Sequence, residues 1–472
     1  MKTISRILAF CFLAVMAFSC KKSFLERAPI SNANAENFFK TKADFDLAVN
    51  AAYNSLYTTY HPEGPVSYVS EQMSDNAIVY NISGIEADKW AFKDYALRPN
   101  NTMLYQFWQE CYKGLYNINV VLSKIDGAEV EAAYKEGVKA ELMFLRGLQY
   151  FNLVRIWGDV PVVLTPLTGE ESYAVSRSTQ ADVYAQIIKD VQFAAEKLPL
   201  QSKITVKGKA SKGAAQTLLG KIYITMGDKA KAATVLTEVV NSKEYDLLPT
   251  YAALWGGNVK NTKESIFEIQ HIGGNPANPY SRYHQGFFPN TNIFQFYGGG
   301  MNQVTDDLWN EYETGDVRQD ISISKGYQNG NVFVAQKFPK KWLDANAVVQ
   351  GGTAYASNNF MVLRYADALL MLAEATGNAA SLNLVRARAG MPLFGTASYP
   401  TAKYPTLELA IEHERRVELA LEFHRWFDLK RTNRAIPVLS AKGKAITQDK
   451  LLVPVPEIVR QQNPVITQNK GY

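Results

Sequence analysis

The chain has few of the residues that build disulfides, metal centres or nucleic-acid-binding surfaces. Its 472 residues include three cysteines and five histidines, and its 50 lysines and arginines are nearly balanced by 45 acidic residues. A net charge of +5 over this length is too small to predict a nucleic-acid partner. The five histidines are scattered along the chain without the spacing of metal ligands. We therefore expect no metal, no cofactor and no nucleic acid.

The signatures of common enzyme classes are also missing. The sequence contains no nucleophile elbow of the G-x-S-x-G type, no Walker A loop and no dinucleotide-binding glycine motif. Carboxylates are concentrated at 411–431, where Arg415, Glu418, Glu422 and Arg425 are spaced to share one face of a helix. Arginine neighbours lower the pKa of a carboxyl group, whereas a glycosidase acid needs a raised one. The pattern therefore predicts ion pairs and not a pair of catalytic carboxylates.

Long hydrophobic runs are absent except at the N-terminus. Basic residues precede the apolar run 7–18, which is too short to span a bilayer and is followed by Ser19 and Cys20. This order predicts a lipoprotein signal peptide at 1–19, a lipid anchor on Cys20 and a lipidated arm at 20–40. An ordinary secreted protein is the alternative. Cys111 is the other cysteine of the mature chain, so we expect no intramolecular disulfide.

Helical periodicity dominates the rest of the chain. Apolar residues recur at three- and four-residue spacing over 44–60, 105–125 and 133–157, and Ser178 is placed to cap a further helix. The segment 211–241 has the spacing of a tetratricopeptide helical hairpin, with Gly220 between the helices and Gly227 at the turn. A second hairpin is predicted at 361–389. Since such units cannot bury their apolar faces alone, we expect several to stack.

Two aromatic-rich segments interrupt the helical pattern. Residues 273–302 hold seven aromatic residues, six glycines and five asparagines without helical or strand periodicity. Residues 71–107 are a similar polar and aromatic stretch. Long irregular segments inside a compact protein are usually functional or disordered, and the aromatic content argues against disorder. Both segments are therefore predicted to be functional loops.

Several motifs along the chain closely resemble the SusD/RagB family. They are KAELMFLR at 139–146, WGDVP at 157–161, LRYADALLMLAEA at 363–375, EHERRVELALEFHRWFDLKR at 412–431 and VPVP at 453–456. The resemblance implies a single mainly α domain over 41–472, in which a tetratricopeptide-like helical-hairpin scaffold carries irregular aromatic loops near 71–107 and 256–302. It also implies a non-catalytic nutrient-uptake lipoprotein of the outer membrane that faces the cell surface. Members of the family bind oligosaccharides, or in some cases peptides, and pass them to a SusC-like TonB-dependent transporter.

The candidate ligand residues come from the chemistry of the two loops, because no family motif identifies them. Sugars present flat apolar C–H faces and rings of hydroxyl groups, so their sites combine aromatic planes with amides and arginine. The residues with these properties are Trp90, Tyr95, Arg98 and Asn101 in the first loop and Tyr280, Tyr283 and Tyr297 in the second. The phenylalanines at 287, 288, 294 and 296 are predicted to lie in the core or to contact the transporter. A peptide cargo, or a scaffold without a small ligand, are the alternatives.

Overall fold

The computed structural model describes residues 38–79 and 87–472. The predicted signal peptide and the lipidated Cys20 lie outside the described residues, as does the arm up to residue 37. Within the two described ranges, no helix is both long enough and apolar enough to span a membrane.

Packed helices form the scaffold of the protein. They are α1 (Lys42–Thr59), α2 (Thr102–Ile125), α3 (Ala132–Trp157), α4 (Gln180–Lys197), α5 (Lys212–Met226), α6 (Lys229–Asn241), α7 (Tyr365–Thr376), α8 (Ala380–Arg388), α9 (Leu407–Glu418), α10 (Arg425–Arg431), α11 (Ala435–Ser440) and α12 (Glu457–Gln462). From α1 to α7, each helix packs against the one before it along the chain. Their inward faces meet in a large core that includes Phe45, Trp157 and Leu236. The predicted mainly α-helical scaffold is confirmed.

Shorter elements lie between these helices. The short helices are Pro65–Ser67, Ala87–Trp90, Gly169–Ser172, Tyr283–Phe287, Asp306–Trp309 and Arg318–Ser322, with a π-helical turn at Tyr68–Gln72 and 3₁₀ turns at Gln201–Lys203, Tyr251–Leu254 and Gln448–Leu451. The strands are β1 (Ala77–Ile78), β2 (Ser265–Ile269), β3 (Gln303–Val304), β4 (Ile323–Ser324), β5 (Tyr327–Asn329), β6 (Val332–Val334), β7 (Phe338–Pro339), β8 (Val348–Gln350), β9 (Thr353–Tyr355) and β10 (Phe360–Arg364). They pair antiparallel as β1–β3, β2–β10, β4–β7, β5–β6 and β8–β9.

The hairpin of α5 and α6 follows the predicted pattern. The Ser211 hydroxyl accepts a hydrogen bond from the backbone N–H of Ala214 (3.1 Å) and so caps α5. Gly227 ends α5 with a left-handed φ of 81°, which glycine adopts at little cost. Gly220 faces the partner helix, since a Cβ atom there would lie 2.5 Å from Leu236 Cδ2. The small residue therefore allows the two helices to approach each other.

The second hairpin starts later than predicted. Residues 360–364 form β10, which pairs with β2, and the first helix of the hairpin begins at Tyr365. All five residues of β10 are buried, so the apolar run that suggests a helix packs here as an enclosed strand. The helical turn itself is as predicted, because Gly377 ends α7 in the left-handed conformation with a φ of 63°.

Two helices start at residues other than those predicted. Helix α2 begins at Thr102, because the side chain of Asn101 accepts from the N–H groups of the helix's second and third residues (3.1 and 3.3 Å). The first predicted loop therefore ends at residue 101. Helix α4 is capped by Thr179 and not by Ser178. The Ser178 N–H instead donates to the Val160 carbonyl (3.0 Å), which ties the start of α4 to the end of α3.

The predicted helix over 411–431 is broken in the middle. Helix α9 ends at Glu418 and α10 starts at Arg425. Between them, Leu421 and Phe423 have left-handed φ values of 63° and 68°, which are costly for residues with a side chain. A buried carboxylate supports this conformation, because Glu71 Oε1 accepts from the Phe423 N–H (2.8 Å).

Glu418 and Glu422 of this segment are paired with cations from other parts of the chain. The buried guanidinium of Arg364 contacts Glu264 (2.9 Å), Glu418 (2.7 Å) and Glu422 (2.7 Å). Glu418 also accepts from Arg318 (2.9 Å), and these cations hold the pKa of its carboxyl group well below the usual range despite burial. The segment is ion-paired, as predicted, but the predicted arrangement on one helix face is wrong. No two of Arg415, Glu418, Glu422 and Arg425 pair with each other, because their partners come from other parts of the fold.

Candidate functional site

The two predicted loops meet at one turn, residues 61–64, which follows α1. On one side, the Lys89 ammonium of the first loop contacts the Glu63 carboxylate (2.8 Å). On the other side, Gly286 of the second loop packs so closely that a Cβ atom there would lie 2.9 Å from Pro62 Cβ. The fold therefore brings segments that are about 200 residues apart in the sequence to the same part of the surface.

A cleft of about 210 Å³ opens beside this turn, and we call it the loop cleft. Its lining residues are Tyr57, His61, Pro62, His271, Asn278, Pro279, Tyr280, Arg282 and Tyr283. The Arg282 guanidinium lies 4.5 Å from the centre of the Tyr280 ring, and the other side of that tyrosine contacts Tyr355 edge-on (4.6 Å). The cleft thus presents an aromatic ring and a guanidinium next to each other.

The electrostatics of the loop cleft are set by Arg282. Burial lowers the pKa of His61 to about 4 and that of His271 to about 3, so both imidazoles are neutral at pH 7. The amide of Asn278 donates to the Gly273 carbonyl (2.6 Å). None of the described residues that line the cleft is acidic. Rings, amide, imidazoles and one cation suit a ligand that is rich in hydroxyl groups.

Four of the seven predicted ligand residues reach the surface. Tyr280 is half-buried and lines the loop cleft, while Tyr297 is 55% exposed. Arg98 is exposed. Trp90 is half-buried, and the Lys93 ammonium lies 5.7 Å from its ring. Ligand contact by these four residues stays a prediction.

The other three predicted residues have structural contacts, and their burial does not support a role in ligand contact. Tyr95 is 5% exposed, and its hydroxyl donates to the Met73 carbonyl (2.5 Å). Asn101 is 3% exposed and caps α2. Tyr283 is 2% exposed at the floor of the loop cleft, where its ring stacks on Phe360. Composition identifies such residues but does not say which side of a loop faces inward.

The phenylalanines of the second loop are mostly core residues, as one of the two predictions for them states. Phe287 is completely buried, and Phe288 and Phe296 are 7% and 4% exposed. Phe288 and Phe296 contact each other edge-on (5.4 Å) in a small cluster below the loop. Phe294 packs against the same cluster and is half-buried.

The sequence interpretation missed several residues of the loop cleft. Tyr57 lies in the last turn of α1 and His61 in the turn that follows it, and nothing in their local pattern distinguishes them from residues that face the core. Arg282 could have been predicted, because it lies between the candidates Tyr280 and Tyr283 and because arginine is one of the residue types expected in a sugar site. Only the tertiary fold shows that Tyr57 and His61 belong to the cleft, since α1 and the second loop are far apart in the sequence.

In the part of the chain that the structure describes, no group of three or more His, Cys, Asp or Glu side chains is arranged to hold a metal ion. The carboxylates of the C-terminal segment are in ion pairs, as described above. Glu71 has a raised pKa, but its side chain is wholly buried and cannot reach a ligand.

Family models match both ends of the chain. The model described as starch-binding and associating with the outer membrane matches residues 23–224. The model of the SusD family matches residues 281–472. Together they include both predicted loops except for part of the second, which begins at residue 273.

Relatives and solved structures agree with these models over nearly the full length. SusD-like protein P2 of Formosa agariphila is 26% identical over 491 residues, which cover 95% of this chain and 96% of that protein. A structure named as a laminarin binding SusD-like protein has a TM-score of 0.79 and 29% identity, and covers 92% of this chain and 100% of its own. Surface glycan-binding protein A of Bacteroides thetaiotaomicron has a TM-score of 0.79, 23% identity and the same coverage, which shows the fold.

Proposed function

The chain belongs to the SusD/RagB family, and from that premise we propose that it binds an oligosaccharide without cleaving it and delivers it to a SusC-like TonB-dependent transporter of the outer membrane. The observation that carries the proposal is the loop cleft, where Tyr280 and Arg282 stand side by side above neutral imidazoles. A related structure is named for laminarin, a polysaccharide, which supports a neutral glycan as the ligand class.

The non-catalytic part of the proposal is supported by the chemistry of the cleft. Glycoside hydrolysis ordinarily needs two carboxyl groups on either side of the scissile bond. The described lining of the loop cleft provides none. Binding would instead come from the Tyr280 ring and from hydrogen bonds to Arg282 and Asn278. Partner proteins would supply the energy for uptake, and other partner proteins would cleave the glycan.

The location is part of the same proposal. A signal peptide at 1–19 and a lipid on Cys20 would hold the protein at the outer membrane, with 20–40 as the tether and 41–472 as the binding domain. Several acyl chains on one cysteine are needed for a durable anchor, because a single chain binds a membrane only marginally. The description of the matching family model, which names association with the outer membrane, supports this location.

A binding panel tests the ligand class. Calorimetry with laminarihexaose, cellohexaose, maltohexaose, xylohexaose and a mixture of short peptides should find a glycan ligand. Tyr280→Ala and Arg282→Ala should each weaken its binding about tenfold, because each removes a contact of about 1 kcal/mol or more. Tyr116→Ala is the matched control, since Tyr116 is 52% exposed and lies away from the loop cleft.

The same panel separates the alternatives. The peptide alternative was suggested by the phenylalanines of the second loop, and three of these four are buried. Binding of peptides with no glycan bound would nevertheless establish it. No binding of either class would favour a scaffold. Binding that is unchanged in both loop-cleft variants would move the site elsewhere on the protein.

A pull-down tests the transport role. The full chain is purified from native outer membranes in mild detergent, and the proteins bound to it are identified by mass spectrometry. A stoichiometric partner with the mass of a large β-barrel is expected. If the protein is in the membrane fraction without such a partner, the delivery step is wrong and a free-standing surface binder is the better description.

A further inference from the structure

We propose that the protein has a second saccharide site, in a cleft between α2 and α12 that shares no lining residue with the loop cleft. This inference rests on the proposed function, because it assumes that the ligand is a glycan. The cleft has a volume of about 550 Å³, within the range of roughly 300 to 1,000 Å³ that is usual for small-ligand sites. We call it the α2–α12 cleft.

One wall of the α2–α12 cleft is an aromatic face of α2. Tyr105, Trp108 and Tyr112 follow a spacing of three and four residues, so they lie on the same side of the helix. Across the cleft, Val459 and Ile466 come from α12 and the tail that follows it. Aromatic rings opposite small apolar side chains leave a flat slot that suits the C–H face of a sugar ring.

The walls of this cleft are held in place by internal hydrogen bonds. The Tyr112 hydroxyl donates to the Pro161 carbonyl (2.8 Å). The buried amide of Asn463 donates to the carbonyls of Ser172 (3.0 Å) and Val175 (2.9 Å), which joins residues 172–175 to the C-terminal tail. Trp108 rests edge-on against Trp157 of the core (5.4 Å). The cleft is therefore preorganised, and ligand binding would order little of the protein.

The rim of the cleft carries polar groups that have no internal use. Glu110, Lys113 and Gln462 line it, and in the described part of the chain none of the three makes a side-chain hydrogen bond or an ion pair. A carboxylate, an ammonium and an amide together offer both acceptors and donors to sugar hydroxyls. Their charges cancel, which favours a neutral glycan over a phosphate-bearing or acidic ligand.

Tyr173 adds an exposed aromatic ring to the lining of the cleft. It lies at the end of the short helix 169–172 and is 56% exposed. Within the described residues its hydroxyl has no hydrogen-bond partner. Both its ring and its hydroxyl are therefore available to a sugar in the cleft.

The α2–α12 cleft also lies close to a predicted ligand residue that the loop cleft leaves out. The N–H of Glu457, the first residue of α12, donates to the carbonyl of Pro99 (2.7 Å). The exposed Arg98 is the residue before Pro99. This hydrogen bond therefore attaches the first loop to the wall of the α2–α12 cleft.

Binding stoichiometry with short probes tests the inference. Laminaritriose, cellotriose, maltotriose and xylotriose are titrated into the full chain by calorimetry, because a trisaccharide is too short to occupy two separate clefts. We expect two binding events per protein for the preferred sugar. Tyr280→Ala/Arg282→Ala should leave one event. In that background, Tyr173→Ala and Gln462→Ala should each weaken the remaining event about tenfold, while Tyr173→Phe should restore it.

Each result decides between the proposals. One event that disappears in the loop-cleft double variant, with no effect of Tyr173→Ala, overturns the second site and leaves the proposed function standing. No binding of any sugar overturns both. Phe333→Ala is the control for loss of an exposed aromatic ring, since Phe333 is 53% exposed and lines neither cleft. Melting temperatures within about 2 °C of the parent protein show that the variants are folded. A residual event that is insensitive to Tyr173 and Gln462 also overturns the assignment to this cleft.

Discussion

Replacing Glu71 by glutamine should stabilise the protein at pH 8 and have little effect near pH 5. The Glu71 side chain is completely buried in the π-helical turn below the first loop. Its Oε1 accepts from the Phe423 N–H, whereas its Oε2 has no partner among the described residues. Burial raises the pKa of this carboxyl group from 4.5 to about 7, against the weaker opposing effect of the Phe423 N–H.

The magnitude follows from the two pKa values. In the unfolded chain the carboxyl group loses its proton near pH 4.5, but in the folded protein it keeps the proton until about pH 7. The unfolded state therefore binds fewer protons between these values, and the free energy of unfolding falls as the pH rises through that window. At 1.36 kcal/mol per pKa unit, the loss is on the order of 3 kcal/mol and is complete above pH 7. Glutamine keeps the acceptor for Phe423 and does not titrate.

The assay is urea denaturation of both proteins at pH 5 and pH 8, followed by tryptophan fluorescence. Comparing the variant with its parent at each pH cancels the contributions of the other titrating groups. Glu71→Gln should gain about 2 to 3 kcal/mol relative to its parent between pH 5 and pH 8. Glu129→Gln controls for loss of a charge at the surface, where Glu129 is exposed. An equal difference in stability at both pH values would refute the reasoning, because it would mean that the buried carboxyl group does not hold its proton.

Two further predictions concern packing and ion pairs, and denaturation at pH 7 measures both. Arg364→Met should cost about 3 to 5 kcal/mol, because it leaves three buried carboxylates without their shared cation; Arg434→Met, at a 40% exposed side chain, should cost less than about 1 kcal/mol. A similar loss of stability in Arg364→Met and Arg434→Met would contradict the argument that burial decides the cost of removing the cation. Gly220→Ala should cost about 1 to 3 kcal/mol, because its Cβ would meet Leu236. Gly137→Ala has open space around it and should be neutral or stabilising by up to about 1 kcal/mol. Equal effects of the two glycine changes would show that helix propensity, and not the close approach of two helices, decides the result.

The helical scaffold was predictable because its signals are local. The periodicity of α1 to α6, the cap at Ser211 and the glycine at 227 all act within a few residues, so they predict the same structure in any context. The strand 360–364 was less predictable. Its first four residues are apolar, and a short apolar run suits a buried strand as well as a helix, so only its pairing with β2 decides between them.

The break between α9 and α10 is a second feature that local sequence patterns do not predict. The residues 419–424 have a sequence that would continue a helix, and no glycine or proline interrupts it. The left-handed conformations of Leu421 and Phe423 exist because Glu71 and Trp342, from distant parts of the chain, hydrogen-bond the backbone there. Strain of this kind is supported by tertiary contacts, which no local pattern can predict.

The sequence by itself determined the family and the mainly helical scaffold, because motif order and periodicity are properties of the chain alone. Only the tertiary structure decided which of the candidate residues are buried and which reach the surface. Tyr280 and Tyr283 stand three positions apart and both line the loop cleft, yet Tyr280 is half-buried whereas Tyr283 is 2% exposed and stacks on Phe360. The physical reason is that burial depends on what a distant segment places over each ring, and here α1 and β10 make that choice.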